Sequence, residues 1–303
     1  MTDSNRTNHS PFLSGFIAIV GPPNVGKSTL LNRLLGTKIS IVSHKPQTTR
    51  NRIKGVYHGH GFQMVFIDTP GIHKTKTLLH KSMVASAQEA FFEVDMIMVV
   101  IEMPRYNDPE IPLILKNLKN IKKPCLMIIN KIDKGPKVEL LPIIDLYQKQ
   151  GLFEAIIPVS ALNGDGTAQL IKELKARLSP GPAFFPDDMK TDQSDSFLVS
   201  EIIREKIYLH TRDELPYSSA VTIGRITEDP KKDLLSISAR IHVESDSQKA
   251  IVIGHKGKMI KTIGQASRKE LENIFGVHIF LDLLVKVEKN WGKDTRALDK
   301  LGY

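Results

Sequence analysis

The sequence predicts an α/β domain with a mostly parallel sheet and helices on both faces, followed by a smaller α+β domain. Over the first 180 residues, short and nearly continuous apolar runs alternate with helical patterns, which is typical of parallel strands that are buried on both faces. A proline-rich segment at 181–195 interrupts this alternation. The length of 303 residues is sufficient for two domains.

The strands of the first domain are predicted from their apolar runs, and the helices from apolar residues spaced at helical intervals. Gly36 follows the first helix and is expected to end it in a left-handed conformation. The predicted strands are Phe16–Val20, Met64–Asp68, Met96–Ile101, Cys125–Asn130 and Ala155–Ser160. The predicted helices cover 30–35, 78–94, 111–119, 138–150 and 167–178.

The second domain shows the order helix, strand, strand, glycine-rich turn, helix, strand, which indicates a sheet covered on one side. We predict a helix at 197–210, strands at 219–227 and 235–243, a turn at 254–257, a helix to about 275 and a strand at 277–287. The predicted divisions are a flexible tail at 1–14, a first domain at 15–180, a linker at 181–195, a second domain at 196–290 and a C-terminal tail at 291–303.

The charge of the chain is strongly positive, with 42 Lys and Arg against 33 Asp and Glu. Residues 4–67 contain eight basic and no acidic side chains, and residues 254–303 contain ten basic and six acidic ones. This distribution favours anionic partners at two places, although a solvated basic face is the alternative at each. The single cysteine excludes an intramolecular disulfide and favours a reducing compartment, so we expect a cytoplasmic protein.

The segment from residue 21 to residue 28 fits the phosphate-loop pattern, and it lies between a predicted strand and a predicted helix. Its backbone N–H groups are expected to surround phosphate oxygens. Lys27 would reach the β and γ phosphates, and the Ser28 hydroxyl would bind Mg²⁺. The nucleotide-contacting residues predicted here are Gly21, Pro22, Pro23, Asn24, Val25, Gly26, Lys27, Ser28 and Thr29.

The next strand ends in a turn at 68–72 whose aspartate can hold Mg²⁺ and whose glycine N–H can approach the γ-phosphate. A threonine hydroxyl between this turn and the phosphate loop would complete the metal ligands. We favour Thr49, and Thr48 is the alternative. The predicted metal ligands are therefore Ser28, Thr49 and Asp68, and the turn contributes Asp68, Thr69, Pro70, Gly71 and Ile72.

The segment after the strand at 125–130 selects the base. The Asp133 carboxylate can accept two hydrogen bonds from the N1–H and amine of guanine, and adenine lacks this pair of donors. The Lys131 stem can pack on the base, and a backbone N–H at 160–162 can approach the guanine O6. The predicted base contacts are Asn130, Lys131, Ile132, Asp133, Ser160, Ala161 and Leu162, which together indicate GTP rather than ATP.

Several segments of the chain resemble the Era family of GTPases. They are GPPNVGKSTLLNRLLG, PQTTRNRI, DTPGIH and NKID in the first part, and SEIIREK, ELPYS and IVIGHKGKMIKTIG in the second. The resemblance covers about residues 14–303. It implies a phosphate-loop GTPase domain followed by a type II KH domain, with GTP, GDP and Mg²⁺ as ligands.

The resemblance also implies that the second domain binds the 3′ end of 16S ribosomal RNA and acts in small-subunit assembly. The GxxG loop of a KH domain clamps about four nucleotides of a single strand. The RNA contacts implied are Gly254, His255, Lys256, Gly257, Lys258 and Lys261. Trp291, Lys293 and Arg296 would stack on and neutralise RNA, or Trp291 would instead cap the core beside solvated charges. In the first domain, Arg50, Arg52 and Lys54 are also candidates for contact with ribosomal RNA.

The catalytic residues expected are Lys27, Thr49, Asn24 and Gly71, acting by positioning and charge neutralisation. Ile72 stands where Ras-type enzymes carry a water-orienting glutamine, so we expect slow intrinsic hydrolysis. Related GTPases that have an asparagine at the position of Asn24 use K⁺, which predicts stimulation by K⁺. We expect a monomer. The alternative function is a GTPase whose basic second domain binds a protein, or peripherally the cytoplasmic face of the inner membrane.

Overall fold

The computed structural model describes residues 11–302 except 44, 46–47, 72–82, 84, 86–88, 212–214 and 216. The predicted helix at 78–94 and Ile72 therefore fall wholly or partly outside the described residues. Within the described residues, seven strands form the sheet of the first domain, in the order β2-β3-β1-β4-β5-β6 with β7 paired to β1. The strands are β1 (Leu13–Val20), β2 (Ile53–Gly59), β3 (Phe62–Asp68), β4 (Met96–Glu102), β5 (Cys125–Asn130), β6 (Ala155–Pro158) and β7 (Ser179–Pro180).

This sheet is parallel except at β2 and β7, which confirms the predicted class of the domain. Apolar side chains from both faces of the sheet are buried in two clusters. Since the strands are parallel, their carboxyl ends meet at one edge, and the loops after β1, β3, β4, β5 and β6 share that edge. The α-helices of this domain whose bounds lie wholly within the described residues are α1 (Lys27–Leu35), α2 (Ile111–Leu118), α3 (Leu140–Gln148) and α4 (Thr167–Lys175).

The sequence prediction missed β2, which runs antiparallel to β3 at the edge of the sheet. Its residues include Lys54, Gly55, His58 and Gly59, which interrupt the apolar run that identified the buried strands. The predicted tail at 1–14 is too long, because β1 begins at Leu13.

The linker at 181–195 is fastened to this edge of the first domain. Gln63 Oε1 accepts hydrogen bonds from Phe184 N at 2.8 Å and Phe185 N at 3.1 Å. Val56 N donates to Lys190 O at 2.9 Å, and Lys54 forms an ion pair with the Asp192 carboxylate at 2.8 Å. The linker therefore packs along β2 and β3.

The second domain has the sheet order β10-β9-β8, in which β10 is parallel to β9 and β9 is antiparallel to β8. Helix α5 packs against α7 and β8, and one apolar cluster fills the space between helices and sheet. The sequence prediction missed α6, which precedes the glycine-rich turn, and α8 in the C-terminal tail. The elements are α5 (Asp195–His210), β8 (Ala220–Asp229), β9 (Leu234–Val243), α6 (Asp246–Ile253), α7 (Lys258–Phe275), β10 (His278–Val287) and α8 (Thr295–Leu301).

Candidate nucleotide-binding site

The phosphate loop follows β1 and leads into α1, as predicted. Gly26 adopts a left-handed conformation with φ of 97°, and a Cβ there would lie 2.3 Å from Asn130 Nδ2. Both the conformation and the close approach require glycine. Asn24 also has a positive φ of 64°, which asparagine tolerates better than most residues. The glycine pattern therefore has a local structural cause in addition to its role at phosphates.

Lys27 begins α1 and is buried. Its ammonium donates to Gly21 O at 3.0 Å and to Pro22 O at 2.9 Å, so its charged end lies within the curve of the phosphate loop. Burial lowers the pKa of Lys27 to about 8, with Asp68 and Glu110 opposing the shift. An anionic phosphate beside this ammonium would stabilise its protonated form.

Three oxygen-bearing side chains predicted as metal ligands meet at the start of α1. Ser28 Oγ donates to Asp68 Oδ2 at 2.6 Å and lies 2.9 Å from Thr49 Oγ1. Thr48 Oγ1 instead donates to Lys45 O at 2.8 Å. The structure thus places Thr49, rather than Thr48, beside Ser28 and Asp68. Ser40, which the sequence analysis did not single out, also donates to Asp68 Oδ2 at 2.9 Å.

This cluster fits Mg²⁺, which prefers hard oxygen ligands. Asp68 is fully buried, and its Oδ1 makes no hydrogen bond to the described residues. Burial raises the pKa of Asp68, while hydrogen bonds from Ser28, Ser40 and Thr49 and the charge of Lys27 oppose the shift. A buried carboxylate oxygen without a partner is costly, and a nearby cation would compensate it.

The turn after β3 packs against the phosphate loop. Thr69 Oγ1 donates to Ile19 O at 2.8 Å, and a Cβ on Gly71 would lie 3.1 Å from the backbone nitrogen of Pro23. Gly71 therefore lies beside the loop that would surround the phosphates, as expected for its N–H to reach the γ-phosphate.

Asn130 ties together two of the loops that form the site. Its Nδ2 donates to Val25 O in the phosphate loop at 2.8 Å, and its Oδ1 accepts from Ala161 N at 2.9 Å. The side chain is 1% exposed. The N–H of Ala161 already donates to Asn130 Oδ1, so a hydrogen bond from it to a guanine O6 would have to be shared with this bond or replace it. Asn130 thus holds the phosphate loop and the loop after β6 together.

The base-reading residues lie around the other end of the site. Asp133 accepts a hydrogen bond from Ser160 Oγ at 2.5 Å, which fixes the carboxylate in place. Lys131 has a left-handed backbone, and its ammonium donates to Asn24 O at 2.5 Å and pairs with Glu102. The sequence analysis missed Glu102, which also pairs with Arg105. Its position at the carboxyl end of a parallel strand was the available signal, as for Asp68 and Asn130.

A cavity of about 520 Å³ connects these groups, within the range of small-molecule sites. It is lined by residues of 23–29, 41–43, 48–49, 130–134 and 161–162, together with Gly71, Glu102 and Arg105. The structure therefore brings the separated motifs of the sequence into one pocket.

The second predicted surface is the loop at 254–257, which joins α6 to α7. Gly254 has φ of 73°, and a Cβ there would lie 2.6 Å from Met259 Cβ, whereas Gly257 has φ of 75° with open space around it. Lys256 between them has φ of 50°. The side chains of His255, Lys256, Lys258 and Lys261 are exposed. The loop is therefore a tight, cationic connection between two helices.

The prediction that Trp291 stacks on RNA does not fit this structure. The indole is 1% exposed, donates to Ser218 O at 3.1 Å, and packs with Ala220, Leu298 and Leu301. The alternative reading, in which Trp291 caps a core, fits instead. Lys293 and Arg296 are exposed and remain predicted RNA contacts.

The basic residues after the phosphate loop were also expected as RNA contacts, and the structure uses them internally. Arg50 is buried and donates to Ser219 O and Tyr217 O at 2.9 Å each. Arg52 forms ion pairs with Glu89 and Glu93. Lys54 pairs with the linker, as described above. Much of the positive charge in 38–54 therefore serves contacts within the chain.

A phosphate loop and, in the same pocket, a carboxylate predicted to bind guanine are typical of one class of protein, the phosphate-loop GTPases. A protein-family model described as 50S ribosome-binding GTPase matches residues 16–131, and a KH domain model matches residues 214–292. Among the described residues, no helix combines the length and the apolar composition that crossing a bilayer requires.

Relatives extend this match to nearly the whole chain. GTPase Era of Syntrophus aciditrophicus is 50% identical over 292 residues, which is 96% of this chain and 95% of the relative. GTPase Era of Geobacter metallireducens is 47% identical over 294 residues, or 97% and 99%. The chain belongs to the Era family of GTPases, enzymes that hydrolyse GTP to GDP and phosphate.

Two solved structures agree in fold with both domains together. A variant of Aquifex aeolicus Era bound to GDP and AlF4⁻ is 41% identical, with a TM-score of 0.92 and coverage of 96% of this chain and 99% of that one. Era in complex with MgGDPNP and nucleotides 1506–1542 of 16S ribosomal RNA has the same identity and coverage and a TM-score of 0.93.

Proposed function

We propose that this GTPase is a switch that binds the 3′ end of 16S ribosomal RNA through its KH domain and acts in small-subunit biogenesis. The observation that carries the proposal is the exposed cationic loop at 254–257, which connects two helices in the same chain as the pocket that brings the predicted nucleotide motifs together. The solved Era relative with MgGDPNP and 16S RNA supports this choice of RNA.

In the proposed reaction, this chain holds the nucleotide and positions water for in-line attack on the γ-phosphate. Lys27 neutralises phosphate charge, Gly71 offers its N–H to the γ-phosphate, and Asp133 selects guanine. Ser28, Thr49 and Asp68 would hold Mg²⁺, which supplies charge neutralisation at the β and γ phosphates. No side chain among the described residues of the pocket is assigned as a general base, so we expect slow hydrolysis without an activator.

At the loop, the positive φ values let the backbone approach a phosphodiester closely. Lys256, Lys258 and Lys261 then neutralise the phosphates of the bound strand. In the switch, GTP would order residues 38–54 and 71–80, of which 72–80 lie outside the described residues. It would also change how the two domains sit, which alters access to this loop. We further propose a monomer in the cytoplasm.

The experiment that tests the RNA role is binding of an oligonucleotide with the 16S 3′-end sequence. Gly257→Asp is the chosen variant, because its backbone position is open and aspartate tolerates a left-handed conformation, so it adds repulsion without a clash. Gly61→Asp is the matched control, since Gly61 has φ of 76° and open space in the first domain.

We expect the oligonucleotide to bind the wild type and the Gly61→Asp protein equally and the Gly257→Asp protein at least tenfold more weakly. Equal binding by all three proteins would contradict the proposed contact. Binding to anionic lipid vesicles without binding to the RNA would favour the membrane alternative.

A further inference from the structure

The described residues of the segment at 38–50 lie between the nucleotide pocket and the second domain. On one side, Thr49 Oγ1 lies 2.9 Å from Ser28 Oγ in the cluster that fits Mg²⁺. On the other side, α5 of the second domain contacts the same segment. Val42 N donates to Glu205 Oε1 at 2.8 Å, and the Lys38 ammonium pairs with the same carboxylate at 2.7 Å.

A further contact of α5 with this segment comes from Arg204, which is 1% exposed. Its Nη2 donates to Thr48 O at 2.6 Å. The same guanidinium also donates two hydrogen bonds to the carboxylate of Glu201, one turn earlier on α5: Nε to Oε1 at 2.7 Å and Nη2 to Oε2 at 2.5 Å. A bidentate pair of this kind fixes the plane and direction of the guanidinium.

The bond to Thr48 O bears directly on Thr49. The carbonyl of Thr48 and the backbone nitrogen of Thr49 belong to one planar peptide unit. A donor that fixes the carbonyl oxygen therefore limits where Thr49 and its hydroxyl can lie. The Thr48 hydroxyl donates to Lys45 O, whereas the Thr49 hydroxyl lies beside Ser28, so Thr49 is the threonine of the two that reaches the predicted metal ligands.

We infer that Arg204, oriented by Glu201, is a positioning residue for GTP hydrolysis that the second domain supplies to the first. It acts through the Thr48 carbonyl to hold Thr49 beside Ser28 and Asp68, the other predicted ligands of Mg²⁺. The inference rests on the proposed function only in taking residues 38–54 as the segment that responds to GTP. Coupling between two sites is reciprocal. GTP and Mg²⁺ in the pocket, through Thr49, therefore stabilise the contact between α5 and this segment.

The chain contains a natural reporter of this contact. Trp291 is its single tryptophan. The Arg50 guanidinium, one residue after Thr49, lies 5.8 Å from the centre of the indole ring. Tryptophan emission therefore reports on the segment without a label, and it does so independently of hydrolysis.

The test uses the full chain with both partners of the buried pair replaced, as Glu201→Gln with Arg204→Met. Removing one partner alone would leave an uncompensated buried charge, whereas removing both avoids that cost. Arg177→Met is the matched control, because Arg177 pairs with Glu173 and Glu154 away from the pocket. Arg204→Lys is a conservative variant that can still donate one bond to Thr48 O.

The readouts are the hydrolysis rate at saturating GTP, the Mg²⁺ concentration for half-maximal rate, the affinities for GDP and GDPNP, and the Trp291 emission change on adding GDPNP. We expect the double variant to lose about 5- to 150-fold in GDPNP affinity, the span of typical coupling energies. The hydrolysis rate falls, more Mg²⁺ is needed, and the emission change is lost. GDP affinity stays within twofold, Arg204→Lys restores part of each effect, and Arg177→Met behaves as wild type.

A double variant that keeps wild-type GDPNP affinity and hydrolysis would overturn the inference. Equal losses of GDP and GDPNP affinity would also overturn it, because they indicate a general structural defect. If the double variant folds poorly, Arg204→Lys decides, since an intermediate loss confined to GDPNP supports positioning and none refutes it. RNA is absent from all these measurements, so a failure of the proposed RNA role leaves their outcome unaffected.

Discussion

Replacing Asn130 with alanine removes the tie between the phosphate loop and the loop after β6. The change leaves Val25 O and Ala161 N, which bond to this side chain at 2.8 and 2.9 Å, without their partner. An unsatisfied buried polar group costs about 1–3 kcal/mol, so the two together cost about 2–6 kcal/mol. If this cost must be recovered when the nucleotide brings the two loops together, the lower value of about 2 kcal/mol corresponds to about a 30-fold loss of nucleotide affinity.

The assay is titration of a fluorescent GDP analogue together with urea unfolding of the nucleotide-free protein. We expect affinities for GDP and for GDPNP to fall together by about 30-fold or more, because both nucleotides need the two loops in place. Asn130→Asp keeps the acceptor for Ala161 N and loses the donor to Val25 O, so it separates the two contributions. Asn163→Ala, at an exposed position in the same loop, is the control.

The reasoning is refuted if Asn130→Ala binds GDP within threefold of wild type and unfolds at the same urea concentration. That result would mean that the two backbone groups find other partners at no cost. A loss in GDPNP affinity alone would also be inconsistent, because the side chain of Asn130 bonds to Val25 and Ala161 in loops that both nucleotides are expected to use.

Three further predictions concern base choice, pH and cations. Asp133→Asn removes two charge-assisted hydrogen bonds to guanine of about 1.5–3 kcal/mol each, so we expect the affinity for GTP to fall about 10²- to 10⁴-fold and the affinity for xanthosine triphosphate to rise. Both affinities are measured by calorimetry, and an unchanged GTP affinity would contradict the role of Asp133 in base choice. Burial and the charge of Asp108 raise the pKa of Glu110 from 4.5 to about 7, so between these pH values Glu110 is protonated in the folded protein and ionised in the unfolded chain; the free energy of unfolding therefore falls as the pH rises from 4.5 to 7. We expect Glu110→Gln to remove this pH dependence, measured by urea unfolding at each pH. A pH dependence that persists in the variant would exclude Glu110 as its source. We expect hydrolysis to be faster in KCl than in NaCl and Asn24→Ala to abolish the difference. Equal hydrolysis rates of the wild type in both salts would rule out this hypothesis.

The sequence was sufficient for the parts of the fold that depend on local pattern. Buried parallel strands such as Cys125–Asn130 have continuous apolar runs, and their bounds agree with the structure. The nucleotide residues follow the ends of these strands, where parallel topology brings them together. Edge strand β2 and helix α6 lack such strong patterns, which explains why both were missed.

The contacts between the two domains could not be predicted, because they depend on packing between distant segments. Glu201, Arg204 and Glu205 are charged residues on a helix and would be expected in solvent, yet all three are buried. Arg50 was expected to meet RNA for the same reason. Arg204, Glu205 and Arg50 each bond across the domain contact to a partner more than 150 residues away in sequence, and no spacing rule connects them.

The central claim is that one chain couples GTP hydrolysis to an RNA end. The most direct test is the rate of phosphate release from GTP at saturating nucleotide, with and without an oligonucleotide of the 16S 3′-end sequence. We predict slow release by the protein alone and faster release with the RNA, with no acceleration in the Gly257→Asp protein. Rapid release without RNA, or the same rate with and without it, would contradict the account.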